Sequence, residues 1–299
     1  MDTLLLQQTI AALGYDVGQL DGVFGDRTRA AVEAFQSDSG LSIDGICGPL
    51  TSAALQALSA KVGPRLTEGL VCRRLRMTNY YLIDEKDYPV VGGVQVPVYV
   101  LEGGAMVIPR WVSPAFFAHA ALEGTARCAD GTLINVQGST VPVSATAYQP
   151  VLDYAKRDGF SHVEYAGIRL NAAGQVDAAV VFENIPASDV GKGYGMEHGY
   201  PKVPWYSCAA DPRYFSFGEI IYVPELAGMA LPDGSAHTGN LLVNDTGSAI
   251  QGLHVDWFVG DEPRFHPSNP QQPEYPRLCH VVAALAGIPA SNTFGLVPS

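Results

Sequence analysis

Apolar positions recur at helical spacing in the first part of the chain. Residues three or four apart on an α-helix share one face, so each such row predicts a helix with one buried side. Three rows occur, and together they predict a three-helix bundle over residues 3–58. The rows are Leu5, Leu6, Ile10 and Leu13; Ala31, Val32 and Phe35; and Leu50, Ala54, Leu55 and Leu58.

The pattern changes after this bundle. Residues 59–69, SAKVGPRLTEG, are polar and contain a Gly-Pro break, so they predict a linker. Residues 70–299 favour β-structure, beginning with a predicted strand at 77–83. A turn-rich, β-rich insert is predicted at about 90–195, with strands at 94–101, 131–136 and 178–182 and a helix at 150–157. Residues 278–287 predict a short helix or strand that covers the core.

Two apolar runs enclose a glycine-containing loop in residues 241–260, LLVNDTGSAIQGLHVDWFVG. Each run predicts a strand; Asp245 lies at the end of the first and Asp256 lies within the second. Burying a carboxylate is costly unless it is protonated or hydrogen-bonded. Two carboxylates in apolar surroundings are therefore a candidate acid–base pair, although an isolated Asp-Thr-Gly is also ordinary turn chemistry.

Composition limits the classes of function. The 299 residues suffice for two or three domains, and 47% hydrophobic with 16% charged residues is typical of a folded chain. The net charge of −12 argues against binding to nucleic acid or to anionic membranes. The first residues, MDTLLLQQTIAALGYD, lack the basic region of a signal peptide, and no apolar run reaches transmembrane length.

The five cysteines are an odd number, so at least one thiol is unpaired in a monomer. Their spacing fits no zinc motif, because no C-x-x-C occurs. One or two disulfides and buried free thiols are both compatible with the sequence. The cysteines are Cys47, Cys72, Cys128, Cys208 and Cys279.

Two Asp-Gly turns, each followed by the start of a helix, form a pseudo-repeat in the bundle. They read DGVFGDRT from Asp21 and DGICGPLT from Asp44, and Pro49 suits the first turn of a helix. With these turns, the segment closely resembles the peptidoglycan-binding domain 1 family. The resemblance implies binding to the bacterial wall but does not identify the ligand contacts. Further matching positions are Gly14, Tyr15, Gln36, Gly40 and Leu41.

The loop sequence DTGSAIQGLHVD resembles the pattern D-T-G-G-A-I-K-G-x-x-x-D of the three-aspartate (3D) domain and of the membrane-bound lytic transglycosylase A family. Both aspartates and their spacing are kept, while Ser248 replaces the second Gly and Gln251 replaces the Lys. Asp211 lies upstream in CAADPRYFSFG, which is similar to the A-x-D-P segment of the same families. The resemblance implies a double-psi β-barrel whose inserted subdomain helps to bind glycan.

The predicted fold class is multidomain. An N-terminal all-α three-helix peptidoglycan-binding domain (3–58) and the linker precede a mainly-β double-psi β-barrel catalytic domain (70–299) with the inserted β-rich subdomain. Two segments compete as the first barrel strand. One is 77–83, which contains a family-like T-x-Y; the other is 143–148, VSATAY, which resembles the start of shorter 3D domains.

The resemblance also implies roles for single residues. Asp256 would be the acid–base group, Asp245 the carboxylate that orients it or the sugar, and Asp211 a third carboxylate in a structural or substrate-contacting role. No metal and no organic cofactor is implied. The residues expected to bind the sugar are Thr78, Tyr80, Thr246, Gly247, Ser248 and His254.

The implied activity is that of a lytic transglycosylase. Such an enzyme cleaves the β-1,4 bond between N-acetylmuramic acid and N-acetylglucosamine and forms a 1,6-anhydro ring. The expected partner is the peptidoglycan glycan strand, bound by a monomer in the periplasm or cell wall. Without a leader, the sequence suggests a phage lysin or an effector of a secretion machine, with a secretion component or an immunity protein as further partners.

Other functions remain open at this point. An aspartic protease shares the DTGS sequence but needs two such aspartates. A zinc wall peptidase would use His237, but the surrounding spacing does not fit its motif. A muramidase would hydrolyse the same glycan with two carboxylates. An expansin-like protein with the same barrel would bind the wall without cutting it.

Overall fold

The computed structural model describes residues 1–67, 69–102, 105–185, 196–197, 200–247, 249–261 and 278–285. Among these residues, no helix is both long and apolar enough to cross a membrane. All five cysteines are free thiols. The helices are α1 (Thr3–Ala12), α2 (Asp26–Asp38), α3 (Pro49–Val62), α4 (Pro114–Glu123) and α5 (Ala145–Arg157). The strands are β1 (Val71–Asp84), β2 (Val96–Glu102), β3 (Ala105–Val112), β4 (Thr125–Arg127), β5 (Leu133–Pro142), β6 (Ile168–Leu170), β7 (Val176–Asn184), β8 (Met196–Glu197), β9 (Tyr200–Pro201), β10 (Ser207–Ala210), β11 (Ile220–Tyr222), β12 (Asn240–Asp245), β13 (His254–Asp261) and β14 (Leu278–Ala283).

The chain divides into two compact units. The first comprises Met1–Asn79, Trp205–Phe258 and Pro273–Ser299, and the second comprises Tyr80–Pro204 and Val259–Gln272. The first unit contains the helical bundle and a β-barrel, and the second contains a mixed sheet with two helices. This confirms the predicted fold class of a helical N-terminal region followed by mainly β-structure.

Helices α1 and α3 begin at residues that favour the start of a helix. The Asp2 side chain accepts a hydrogen bond from the Leu5 N–H at 2.9 Å, and Pro49 occupies the first turn of α3. Helix α3 continues to Val62, and a 3₁₀ turn follows at Gly63–Arg65, so the segment predicted as the linker starts in helical structure. The buried faces of the helices form a core that includes Leu6, Ile10, Val32, Phe35 and Leu55.

The pseudo-repeat is built around two buried glutamines. In each copy the glutamine amide nitrogen donates to an Asp, to a backbone carbonyl and to a Thr, at distances of 2.7–3.2 Å. In each copy the amide oxygen accepts from the glycine of the Asp-Gly turn, at 2.8 Å for Gly22 and 2.9 Å for Gly45. Both glycines have positive φ, which glycine adopts without strain. The two sets are Gln7, Asp21, Val23 and Thr28, and Gln36, Asp44, Ile46 and Thr51.

Six strands of the first unit close into a barrel. They are hydrogen-bonded in the order β13–β10–β12–β11–β14–β1, and β13 also pairs with β1. Strands β10 and β12 run parallel, whereas β10 with β13, β11 with β12 and β1 with β14 are antiparallel. Residues 143–148 lie outside this barrel because 145–148 begin helix α5, so the first barrel strand is β1. Buried side chains of the barrel include Leu75, Leu241, Val243, Trp257 and Val281.

The bundle and the barrel share one hydrophobic core. Tyr15 and Phe35 of the bundle belong to the same buried cluster as Cys72, Tyr222 and Val282 of the barrel. The two parts therefore pack against each other within the first unit.

A buried polar network crosses the same contact. Arg74 of β1 pairs with Asp38 of α2 at 2.6 Å, and the two side chains are only 7% and 4% exposed. The Tyr15 hydroxyl donates to Asp38 at 2.7 Å, and it lies 3.0 Å from Nε2 of His280 in β14. Buried charges need such partners, because an unpaired buried charge is strongly destabilising.

The second unit is a mixed sheet covered by helices α4 and α5. Its strands follow the order β4–β5–β7–β2–β3, with β6 paired to β7. Helix α5 is longer than the predicted helix at 150–157, because its apolar positions already begin at Tyr148. The β-rich insert predicted at 90–195 therefore also contains two helices. Its core includes Val98, Phe116, Phe117, Tyr148 and Phe182.

Candidate active site

The two aspartates of the DTG loop flank one residue of the barrel sheet. In β10, Ala209 is opposite Asp256 of the antiparallel strand β13 and beside Asp245 of the parallel strand β12. Laterally paired residues project to the same face of a sheet, so both carboxylates share a face. Adjacent strands lie ~4.8 Å apart, which places the two aspartate Cα atoms about 10 Å from each other. The small Ala209 side chain leaves space between them.

A bulge in β12 brings Asp245 to this face. Cys208 pairs with Val243, but the next residue, Ala209, pairs with Asp245, so Asn244 is the extra residue. Without the bulge, Asn244 would stand beside Ala209, because a shift of one residue reverses the face of every side chain. The local sequence Val-Asn-Asp is therefore part of how the carboxylate pair forms.

Asp256 is held in surroundings that favour its acid form. Its Oδ1 lies 2.6 Å from the Thr78 hydroxyl of β1. Burial raises the pKa of Asp256 from 3.8 to about 6, and the charge of Asp245 acts in the same direction. The hydrogen bond from Thr78 and the charge of Arg76 lower the pKa and only partly offset this rise. A carboxylic acid that is still protonated near pH 6 can act as a general acid.

Asp211 has different surroundings. Its carboxylate receives a forked hydrogen bond from Arg213 at 2.6–3.1 Å and a further one from the Gly252 N–H at 2.7 Å. The Arg213 hydrogen bonds hold the pKa of Asp211 far below its usual range. Asp211 is therefore ionised at neutral pH, and it holds the end of the loop that joins the other two aspartates.

The DTG loop is fastened at both ends. At its start, Asp245 Oδ1 accepts from the Thr246 N–H at 2.8 Å, and at its end Gly252 is held by Asp211. In between, the Ile250 N–H donates to the Gly247 carbonyl at 2.9 Å. Thr246 is exposed and Gly247 is partly exposed, so both can be reached from solvent. Ser248 lies outside the described residues.

Three predicted site residues remain: Thr78 and His254 belong to the first unit, and Tyr80 belongs to the second. His254 is 7% exposed, and its Nε2 lies 2.8 Å from the Thr78 hydroxyl, so both residues adjoin Asp256. Tyr80 is 6% exposed and belongs to the second unit, where the Lys202 ammonium lies 5.4 Å from its ring centroid.

Sequence analysis missed two residues of the site. Arg76 lowers the pKa of Asp256 and of His254, and Ala209 separates the carboxylates. The signal for Arg76 was available, because it lies two residues before Thr78 on one strand and so shares its face. The position of Ala209 depends on strand pairing between distant segments, which the sequence does not show.

His237 has a structural role, because both of its ring nitrogens form hydrogen bonds with the backbone. Its Nε2 donates to the Trp205 carbonyl at 2.6 Å and its Nδ1 accepts from the Gly239 N–H at 2.8 Å, so both ring nitrogens are occupied. In the described part of the chain, no group of three or more His, Cys, Asp or Glu residues is arranged to hold a metal ion.

Comparison with protein families gives two matches. Residues 2–55 match the model described as "Putative peptidoglycan binding domain", and residues 206–266 match the 3D domain. The second match contains Asp211, Asp245 and Asp256. The chain thus joins a peptidoglycan-binding domain to a 3D domain.

Curated relatives match only short parts of the chain. N-acetylmuramoyl-L-alanine amidase CwlM of Mycobacterium tuberculosis is 43% identical over 61 residues, which are 20% of this chain and 15% of that protein. An uncharacterized protein in the bpoA1 3'region of Kitasatospora aureofaciens is 48% identical over 56 residues, which are 19% of this chain and 45% of that protein. The chain therefore matches less than half the length of either relative.

Solved structures match over most of the chain at low identity. MltA of E. coli with bound chitohexaose aligns with a TM-score of 0.43 and 14% identity over 85% of this chain and 88% of that one. The membrane-bound lytic murein transglycosylase of Agrobacterium tumefaciens aligns with a TM-score of 0.41 and 14% identity, over 93% and 91% of the two chains.

Proposed function

We propose that this protein binds peptidoglycan and cuts its glycan strands as a lytic transglycosylase. The matches to a peptidoglycan-binding domain and to a 3D domain support peptidoglycan as the substrate class. The observation that carries the proposal is the environment of Asp256, an enclosed carboxyl group whose pKa is raised to about 6 beside a second carboxylate. A transglycosylase needs one such group that first gives and then takes a proton.

The proposed reaction has two steps. Asp256 in its acid form protonates the oxygen of the β-1,4 bond, so the bond from that oxygen to C1 of N-acetylmuramic acid breaks. The Asp256 carboxylate then takes the proton of the C6 hydroxyl of the same sugar. The C6 oxygen bonds to C1 and closes the 1,6-anhydro ring, which returns Asp256 to its acid form without consuming water.

Asp245 supports both steps through its charge. It lies on the same face as Asp256, on the other side of Ala209, so a sugar bound over Ala209 would adjoin both carboxylates. A negative charge there stabilises positive charge that develops at C1. It also favours the acid form of Asp256 before the first step.

The same carboxylate pair is compatible with a hydrolase, in which the second carboxylate activates water. A peptidase acting on the cross-links and a protein that only binds the wall are further alternatives. The products distinguish all of these functions, because each leaves different ends on the polymer. We place the site of action at the cell wall, where the helical bundle would hold the protein on its substrate.

The test is mass spectrometry of the soluble products from purified sacculi. We expect fragments ending in 1,6-anhydro-N-acetylmuramic acid from the unaltered protein, and a decrease of at least about 10²-fold with Asp256→Asn. Asp153→Asn is the matched control, because it removes an exposed carboxylate on α5 and should leave cleavage unchanged.

Other products would reject the proposal. Reducing ends on N-acetylmuramic acid would show a hydrolase, and released peptides with intact glycan would show a peptidase. Sacculi that bind the protein but stay uncut would show a binding protein. Full cleavage by Asp256→Asn would remove Asp256 from the acid–base role.

A further inference from the structure

His254 is a buried titratable residue that the proposed reaction does not use. It lies two residues before Asp256 on β13, so the two side chains project from the same face of the strand. One hydroxyl connects them: Thr78 Oγ1 is 2.8 Å from His254 Nε2 and 2.6 Å from Asp256 Oδ1. The three groups therefore form a continuous hydrogen-bonded chain.

The protons in this chain can be counted. The Thr78 hydroxyl has one proton to donate, so it donates to one neighbour and must accept from the other. Burial lowers the pKa of His254 to about 4, so the ring is neutral at pH 6 and carries one proton. A hydrogen bond with the Ala249 backbone raises this pKa, as expected if the ring donates to the carbonyl. Since Nε2 faces Thr78, the donating nitrogen is Nδ1, and Nε2 is left as an acceptor.

This count links Asp256 to His254. When Thr78 donates to Nε2, a hydrogen bond between its oxygen and Asp256 requires the acid form of Asp256, because the hydroxyl has no second proton to donate. When Asp256 is ionised, Thr78 turns to donate to the carboxylate, which is the hydrogen bond that lowers the pKa of Asp256, and Nε2 loses its donor. The acid form of Asp256 is the one in which all three groups are hydrogen-bonded.

We propose that His254 is a positioning residue that, acting through the Thr78 hydroxyl, holds Asp256 in its acid form until substrate is bound. Once Asp256 has given its proton to the glycosidic oxygen, the Thr78 hydroxyl rotates and donates to the new carboxylate. When Asp256 takes the C6 proton, the hydroxyl turns back to His254. The Thr78 proton only changes its acceptor, so no proton is gained or lost in the relay.

Other charged and titratable groups also face these residues. Arg76 of β1 lowers the pKa of both Asp256 and His254, and Asp245 of β12 raises that of Asp256. Cys208 of β10 has a pKa raised well above its usual value by burial, so its thiol remains neutral. Variants that alter only His254 or Thr78 keep these three groups constant.

The proposed relay and the other possible roles of His254 predict different changes in the pKa of Asp256 when the histidine is removed. In His254→Leu, Thr78 is free to donate to the carboxylate, so the pKa of Asp256 should fall by about one unit, the equivalent of one hydrogen bond. A histidine that acted as a nearby cation would have the opposite effect, because its removal would raise the pKa. A histidine that only fills space would leave the pKa unchanged.

The experiment is an NMR titration of the Asp256 side-chain carboxyl carbon in the substrate-free protein. It compares the unaltered chain with His254→Leu, Thr78→Val and the double variant. We expect the fall of about one unit in His254→Leu and no further effect of that substitution once Thr78→Val is present, because the influence passes through the hydroxyl. Thr78→Ser retains the hydroxyl and should restore the dependence on His254. An unchanged or raised pKa in His254→Leu would overturn the proposal.

A second measurement needs no variant and therefore does not depend on the folding of His254→Leu. The ¹⁵N shifts of the His254 ring in the unaltered protein at pH 5 should show a protonated Nδ1 and an unprotonated Nε2. A proton on Nε2 would overturn the relay.

The role in the reaction rests on the proposed function, whereas both NMR measurements do not. If sacculi are cut, the fall of kcat/KM at high pH, which reports the substrate-free enzyme, should move by about one unit to lower pH in His254→Leu, as the pKa of Asp256 does. If sacculi are not cut, the titration still decides whether His254 controls Asp256.

Discussion

Replacing Asp256 with asparagine should stabilise the protein at neutral pH while it removes cleavage. The surroundings of Asp256 disfavour the ionised carboxylate, and folding must therefore overcome a penalty whenever the carboxyl is ionised. Asparagine is similar in shape, stays uncharged and can still hydrogen-bond with Thr78. Active-site residues often reduce stability in this way.

The magnitude follows from the shift in pKa. Below pH 3.8 the carboxyl is protonated in the folded and the unfolded chain, so the substitution should have little effect on stability. As pH rises from 3.8 to about 6, the unfolded chain ionises first and the folded protein loses stability. Above this range the penalty is complete, and about two pKa units at ~1.4 kcal/mol each amount to about 3 kcal/mol.

Urea denaturation at several pH values between 3.5 and 8, which bracket the interval from 3.8 to about 6, measures this difference. The free energy of unfolding of Asp256→Asn should exceed that of the unaltered protein by about 3 kcal/mol at pH 8 and converge with it at the acid end. Asp153→Asn, an exposed substitution, should show no such trend. A difference that is absent, negative or independent of pH would refute the assignment of a raised pKa to Asp256.

Two further predictions concern the barrel and its contact with the bundle. Arg74→Met should lower the free energy of unfolding by about 3–5 kcal/mol in urea, because it leaves the buried Asp38 carboxylate without its cation. Adding Asp38→Leu should recover most of this loss, and a loss that persists in the double variant would contradict the ion-pair explanation. Ala209→Val should reduce product release from sacculi at least about tenfold by filling the space between the carboxylates, while Ala209→Gly leaves that space open and serves as the control. Equal activity of the two Ala209 variants would show that the space is not occupied by substrate.

Local patterns predicted the features that depend on neighbouring residues. The helical rows located α1 to α3, and the two Asp-Gly turns predicted a repeat that the structure builds around Gln7 and Gln36. The apolar run that contains Asp256 suggested an enclosed carboxyl group, which agrees with its raised pKa. In each case the pattern that carried the prediction was formed by residues close together in the sequence.

The resemblance to the 3D and transglycosylase families brought Thr78, His254 and Asp256 to one expected site, but local patterns could not predict the contacts between distant segments. Thr78 and Asp256 are 178 positions apart, and Tyr15 and His280 are 265 positions apart. No local pattern specifies which strands meet, so the His254 chain and the shared core appear only in the folded structure. Asp211 is a different case, because Arg213 two residues later was visible in the sequence and accounts for its clamped carboxylate.

The shared core of bundle and barrel limits how far the barrel can move relative to the bundle. A 3₁₀ turn at Gly63–Arg65 and hydrogen bonds from Lys61 to the Pro224 and Ala227 carbonyls leave little slack between α3 and the barrel. A flexible tether would let a catalytic site sweep an area around its anchor, whereas the shared core keeps the bundle and the carboxylate pair of the barrel at a constant offset. With the bundle seated on the wall, the bonds within reach are set by the fold rather than by diffusion of a linker. The spacing between successive cuts would then depend on the distance between the wall-binding surface of the bundle and the carboxylate pair of the barrel.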